Sequence, residues 1–268
     1  MENRMAKLGD RGVLKVSGPE AGAFLQGLLT NDVMALQQGE ARYAALLSPQ
    51  GKILFDFLVF CGADGFYLDI LKAQAADLAK RLGFYKLRAK VEIADLSAGL
   101  GIAAFARDPV LATGYRDPRH EGLGWRAILP LAGLAGEDEN YKARRIALGV
   151  PKGGADFVYG DTFPHEANLD WLHGVDFKKG CYVGQEVVSR VEHRGLARKR
   201  IVRVRYGAVA PALGAEVVAG DVALGVMGSS ADGMGLAMLR VDRVAEAAGV
   251  PVMAGGVGVE VMGGGGDG

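Results

Sequence analysis

Two runs, ARYAALL (41–47) and KILFDFLVF (52–60), flank the short stretch Ser48-Pro49-Gln50-Gly51. Both are rich in aliphatic and aromatic residues, and Pro and Gly between them carry turn chemistry. The pair predicts an antiparallel hairpin. Parallel neighbours need a long crossover instead, so the hairpin argues against a doubly wound sheet. The flanking pattern agrees. VLKVSG (13–18) reads as a strand. SGPEAGAFLQGLL (17–29) reads as a helix start, with Pro19 in its first turn and Phe24, Leu25, Leu28 and Leu29 on one apolar face. FYLDI (66–70) is a third strand, AQAADLAKRLGFYKL (73–87) a helix and KVEIADL (90–96) another strand. Hairpins alternating with single helices predict an antiparallel α+β fold.

Residues 99–135 read as short strands between Gly/Pro loops. EDENYKARRIALG (137–149) is a helix with acidic residues first and basic residues late, as the helix dipole favours. From Arg198 the texture changes to IVRVRYG, AEVVAG, VALGVMGSS, GMGLAMLRV and GVGVEVM. These short valine-rich runs broken by glycine predict a small β-barrel or sandwich. The expected division is 1–196 and 197–268, with the final GGVGVEVMGGGGDG fraying into a flexible tail. Lys+Arg and Asp+Glu each total 31, so no global field draws the chain to DNA or to an acidic membrane. Two cysteines make no disulfide framework, and the charged start MENRMAKLGDRG has no apolar signal-peptide core. With no apolar run of membrane-spanning length, the expectation is a cytoplasmic protein.

The chemistry concentrates in KKGCYVGQEVVSRVEHRG (178–195). Val183, Val187 and Val191 recur four apart, which predicts a helix with Cys181 at or just before its N-terminus. The helix dipole, free backbone N–H groups and Lys178 and Lys179 would each favour a thiolate there. Gln185 and Glu186 put an amide and a carboxylate on the first turn. The alternative is a small buried hydrophobe at a helix cap, and Cys61 at the end of an apolar strand takes that reading. Asp56, in the apolar run KILFDFLVF, needs a partner or its pKa rises. Ile53, Phe55, Phe57 and Val59 are expected on one face of that strand, with Leu54, Asp56, Leu58 and Phe60 on the other.

Lys179-Gly180-Cys181-Tyr182-Val183-Gly184-Gln185-Glu186 resembles the K-G-C-Y-x-G-Q-E signature of the YgfZ family, which is related to the glycine-cleavage T protein. VSGPEAGAFLQGLLTNDV, LLSPQGKILFDFLVF, LRAKVEIADL, RRIALGVP, PHEANLD and GVDFKKGCYVGQEVVSR follow in the family's order across most of residues 11–200. The resemblance implies two intertwined α+β lobes around a central hole that holds folate, closed by a C-terminal β-barrel. It implies an accessory protein, more than an enzyme, for assembly or repair of 4Fe–4S enzymes, including radical enzymes that modify tRNA. Its partners would be iron–sulfur assembly proteins and their 4Fe–4S clients. Tetrahydrofolate or a folate derivative would be the cofactor, and no stably bound metal is expected beyond a transient cluster contact at Cys181.

The working residues so implied are Cys181, Lys179 and Asp56, with Asp56, Glu166, Asn168, Tyr182, Gln185, Glu186 and Arg190 around the folate. Two departures bear on folate. T proteins carry paired aspartates near Asp56, where this chain has Phe55 beside it. Arg145-Ile146-Ala147-Leu148-Gly149 puts alanine where T proteins place the glutamate that grips the pterin, and alanine cannot make that hydrogen bond. The alternatives are a folate-dependent aminomethyl-type transferase using Asp56, and a scaffold whose cysteine only packs. Other chemistry has less support. A Cys181/His193/Glu186 hydrolase would have its Cys and His about 18 Å apart on an unbroken helix, and four scattered histidines make no zinc site. The basic run Arg190, Arg194, Arg198, Lys199 and Arg200 reads as a solvated face.

Overall fold

The computed structural model describes residues 5–134, 136, 139–195 and 197–263. The N-terminal region contains β1 (Met5–Leu8), β2 (Arg11–Ser17), α1 (Ala21–Gln26), β3 (Ala41–Leu47), β4 (Ile53–Gly62), β5 (Gly65–Leu71), α2 (Ala75–Lys86), β6 (Glu92–Asp95), β7 (Leu100–Phe105), β8 (Gly114–Arg116) and β9 (Trp125–Pro130). Two helices follow, α3 (Glu139–Ala147) and α4 (Gln185–Arg194). The chain then forms β10 (Lys199–Tyr206), β11 (Glu216–Ala219), β12 (Val222–Ala231), β13 (Met234–Arg240), α5 (Val241–Glu246), β14 (Val252–Ala254) and β15 (Val257–Val261).

The first nine strands make two antiparallel sheets, ordered β3-β4-β5-β2-β6 and β1-β7-β9-β8. Only Gly9 and Asp10 separate β1 from β2, yet the two strands belong to different sheets. The lobes are therefore intertwined by the chain itself. The last six strands close into a barrel, β10-β13-β12-β11-β14-β15.

The expected hairpin is β3–β4, but its register shifts between Leu46 and Leu47, so that Leu46 faces Phe55 and Leu47 faces Ile53. The bulge changes which face Ile53 occupies. Phe55, Phe57 and Val59 pack under Leu25, Leu28 and Leu29 from α1 and its exit, and under Leu78 and Leu82 of α2. Ile53 joins Leu58 and Phe60 in a second cluster, against Ile102, Tyr115 and Ile128 of the other sheet and Ile201 and Leu236 of the barrel. Asp56 lies on this second side, where all three units meet.

Two expectations are corrected. Val257–Val261 pairs with both β10 and β14, so the start of the supposed tail is the strand that closes the barrel. Its last part, 264–268, lies outside the described residues, as do 1–4 of the charged start and Leu196 at the expected domain division. The helix of the cysteine motif begins at Gln185, behind a left-handed Gly184 at φ 82°. Cys181 sits in the loop before it, a full helical turn from the first helical residue, where the dipole has little hold. Of the valines, Val188 is the buried one, not the 183/187/191 set.

Candidate functional site

A cavity of about 330 Å³ opens where β4, β9, α3 and the barrel strand β12 converge. Asp56, Arg119, Arg126, Tyr141, Arg145, Lys152 and Ser229 line it, with Arg11 and Asp10 from the β1–β2 junction. One wall is a buried network. Arg126 bonds Asp69, Asp117 (2.9 Å) and the Tyr141 hydroxyl. Arg119 grips Asp117 through two nitrogens (2.9 and 2.7 Å) and also donates to Tyr141 (2.8 Å). Arg11 Nε donates to Asp69 at 2.6 Å, and the Tyr115 hydroxyl donates to it at 3.0 Å. Burial alone would raise both carboxyls. Arg119 and Arg126 outweigh it at Asp117, which stays well below the usual carboxylate range, and Arg11 and Arg126 outweigh it at Asp69, which is lowered too.

Asp56 has its partners in two phenols, Tyr43 at 2.9 Å and Tyr159. Burial, and then Asp56 itself, pushes both phenol pKa values up, so they remain hydroxyl donors to it. A carboxylate has about four lone-pair sites; two are used here. Arg145 faces the cavity but is tied to Asp156 (2.8 Å) and Ser229 (2.7 Å), which pins α3 to the barrel. Ala147 is exposed at the end of α3 and lies outside the lining.

The cysteine loop is elsewhere, packed on the β3–β4 turn and the end of α1. Asp176 Oδ1 accepts from the backbone N–H groups of Lys178 (2.7 Å) and Lys179 (3.1 Å). The Lys179 ammonium donates to three carbonyls, of Gln26 (2.8 Å), Leu29 (2.5 Å) and Asn31 (2.9 Å). Its three hydrogens are spent on closing the exit of α1, not on the thiol. Burial draws its pKa down to about 8, against Asp32 and Asp176. Tyr182 is buried beneath that ammonium, 5.2 Å from ring centre to nitrogen, and burial lifts its hydroxyl pKa to about 12. Gly184 presses on the turn: a Cβ there would stand 2.5 Å from the Ser48 carbonyl oxygen. Gln185 Oε1 accepts from the Tyr182 N–H at 3.2 Å. The result is a braced loop on which Cys181 is exposed, and Lys178, Glu186 and Arg190 of the same motif are exposed as well.

The remaining expected residues divide between braces and a second hollow. Asn168 is buried and donates to the Ile201 carbonyl at 2.7 Å, tying its loop to β10. Glu166 accepts from the Phe163 N–H at 2.9 Å and lines a smaller cavity beside α4. Of the residues expected around a folate, only Asp56 reaches the central cavity. Arg200 leaves the solvated basic face: it clasps Asp170 with two nitrogens (2.7 and 2.8 Å) and stacks 4.1 Å over Trp171. His165, Asp170 and Glu192 converge to within 4.8 Å, where Arg200 binds both Asp170 oxygens and His165 Nε2 lies 3.0 Å from Glu192 Oε2, so the groups hold one another. Sequence reasoning missed the Arg/Asp/Tyr network entirely. Its one visible signal was Asp69, an acid inside the apolar run FYLDI.

Geometry and comparison agree on the class. Residues 8–106 match the family model of the GCVT N-terminal domain, and 198–262 that of the CAF17 C-terminal beta-barrel domain. The glycine cleavage system aminomethyltransferase T of Bartonella henselae superposes with a TM-score of 0.76 over 97% of this chain and 84% of that one, at 18% identity. The protein thus has the aminomethyltransferase T fold with a closed six-stranded barrel at its C-terminus. Mouse mitochondrial iron–sulfur cluster assembly factor IBA57 is 33% identical, with the match covering 87% of this chain and 76% of that protein. This chain belongs to the IBA57 family of iron–sulfur cluster assembly factors, the eukaryotic relatives of the YgfZ proteins it resembles. The homologues of Mycosarcoma maydis (35% identical) and Neurospora crassa (31%) agree, and the chain spans little more than half their length, 57% and 56%.

The expected cytoplasmic location is overturned, because all of these relatives are named as mitochondrial proteins. A low cysteine count marks a reducing compartment, and it does not separate the cytosol from other reducing compartments. Among the described residues no helix is long and apolar enough to cross a membrane.

Proposed function

We propose that this protein serves iron–sulfur cluster assembly by presenting the exposed Cys181 sulfur as a ligand to a cluster in transit between partner proteins. The observation that carries this reading is the loop itself. An exposed thiol stands on a segment braced by Asp176, by the Lys179 carbonyl cage and by the packing of Gly184. A cysteine that merely packs would be buried. Thiolates are the usual protein ligands of iron–sulfur clusters, and one exposed cysteine sulfur offers an incomplete ligand set that suits hand-over better than storage. The partners would be iron–sulfur assembly proteins and 4Fe–4S enzymes, radical tRNA-modifying enzymes among them. The test is complementation of a deletion strain with wild type or Cys181→Ala at matched protein level. Activities of several 4Fe–4S enzymes should return only with wild type. Full rescue by the alanine variant would remove the thiol from the mechanism.

The central cavity supports a folate-class ligand beside this role. Its volume lies within the range of small-molecule sites, about 300–1,000 Å³. Asp56 keeps two acceptor sites for a ring N–H, and Lys142 at the lining suits a carboxylate tail, with Lys152 beside it paired to Asp10. A bound folate would supply a one-carbon carrier, and the chain's part would be to orient the ring with Asp56 and to hold the tail with Lys142. Asp56→Asn should weaken tetrahydrofolate binding, measured by calorimetry, by about tenfold or more, the worth of one charged hydrogen bond. Unchanged binding would take Asp56 out of the site. The same fold and carboxylate favour the second reading, a folate-dependent one-carbon transferase. Turnover of a one-carbon folate that survives Cys181→Ala would select it.

A further inference from the structure

The outer face of α2 carries chemistry that neither the cysteine loop nor the central cavity uses. Ala75, Leu78 and Leu82 turn one side of the helix into the core. Phe84 stands on the opposite side, one turn beyond Lys80 and Arg81, and Leu87 and Arg88 follow at the exit of the helix. Phe84 is 65% exposed and Leu87 89%, the most exposed large hydrophobic side chain among the described residues. Leu87 also has a left-handed φ of 43°, which glycine or asparagine adopts at less cost. The fold thus holds an aliphatic side chain in water at a position where a smaller residue would sit more easily.

Charge gathers around these two side chains. The whole chain is neutral, yet residues 72–90 hold Lys72, Lys80, Arg81, Lys86, Arg88 and Lys90 against a single acid, Asp77. Lys80, Arg81, Arg88 and Lys90 are exposed, and none of the six cations has an ion pair among the described residues. The strand that packs on α2, β6, brings Glu92 and Asp95, too few to balance them. Exposed apolar groups rimmed by charge mark an interaction surface.

We propose that the exit of α2 is a peripheral docking surface for an anionic lipid membrane. Phe84 and Leu87 enter the headgroup layer, and the cations around them face lipid phosphates. Each Lys or Arg near such a surface strengthens binding about fivefold, and each apolar side chain that leaves water adds to it. Two other occupants fit these residues less well. A nucleic acid would want flat rings on which bases stack, and leucine has none. The centre of a protein interface is depleted in lysine, whereas a lipid surface supplies phosphate in every direction.

The test is co-sedimentation of the full chain with phosphatidylcholine vesicles, with and without phosphatidylglycerol at about 30%. The chain should sediment only with the anionic vesicles, and less as salt rises. Phe84→Ser and Leu87→Asn should each weaken binding about fivefold or more, and Lys80→Gln with Arg81→Gln about tenfold or more. All four positions are exposed and asparagine suits the backbone at 87, so the variants should unfold no earlier than the parent. No binding to anionic vesicles at millimolar lipid would overturn the proposal. So would equal binding to both kinds of vesicle, or binding untouched by Phe84→Ser and Leu87→Asn together. A single-stranded RNA held through Lys80 and Arg81, with no vesicle binding, would assign the surface to nucleic acid and overturn it as well.

Discussion

Lys179 shows how a residue's place in a motif can mislead about its work. Beside Cys181 in sequence, it invites a part in tuning the thiol. In space its three N–H bonds go to three backbone carbonyls at the exit of α1. Lys179→Met keeps the aliphatic stem and leaves those acceptors without their donor. It should lower stability by about 2–3 kcal/mol, read from the urea midpoint. A guanidinium is planar and cannot point three donors into a cage shaped for an ammonium, so Lys179→Arg should rescue little of the loss. Cys181 was readable as special because so few other thiols compete with it, and Asp56 because a carboxylate in an apolar strand demands an explanation. The carbonyl cage was not readable, since its three acceptors are backbone atoms about 150 positions away.

At the level of elements, the hairpin turn at 48–51 and the cysteine loop act as one unit. Gly184 has φ 82°, and its missing Cβ is what lets the Ser48 carbonyl approach. Gly184→Ala adds both backbone strain and a collision. The loop should lift from the turn, and Cys181 should be alkylated faster than in the parent; a Cys61→Ala background isolates its signal. An unchanged rate would mean that the loop does not depend on that contact. β4 was legible as a continuous apolar run bounded by turn residues. The bulge at Leu46/Leu47 was not, because one added residue changes no composition, only which way Ile53 points. β1, β14 and α5 escaped notice because they span four, three and six residues, too few for periodicity to speak.

For the molecule as a whole, the buried charge network sets the acid limit. Asp69 and Asp117 have folded pKa values below their unfolded value of about 3.9. Their contribution to stability is complete above that value and is lost as pH falls towards the folded pKa values. Unfolding free energy should therefore hold steady in this respect from neutral pH to about pH 4, then fall. Asp117→Asn leaves Arg119 without a counter-charge and Arg126 with Asp69 alone, and should cost about 3–5 kcal/mol at neutral pH. That cost should shrink in acid, where the wild-type carboxyl is itself neutralised. A cost independent of pH would show that packing, not charge, is what Asp117 provides.

The two-residue step from β1 to β2 has a consequence for how such a chain can be inherited and rebuilt. Because β1 pairs with β7 while β2 to β6 build the other sheet, the five-stranded lobe is inserted into the four-stranded one, which is not a continuous stretch of gene. A crossover or a split between residues 12 and 99 would strand one edge of a sheet without its mate. Shuffling within this family should thus spare that interval and fall at its two ends. Split-protein reporters cut inside it should reassemble only when both pieces meet before either has settled.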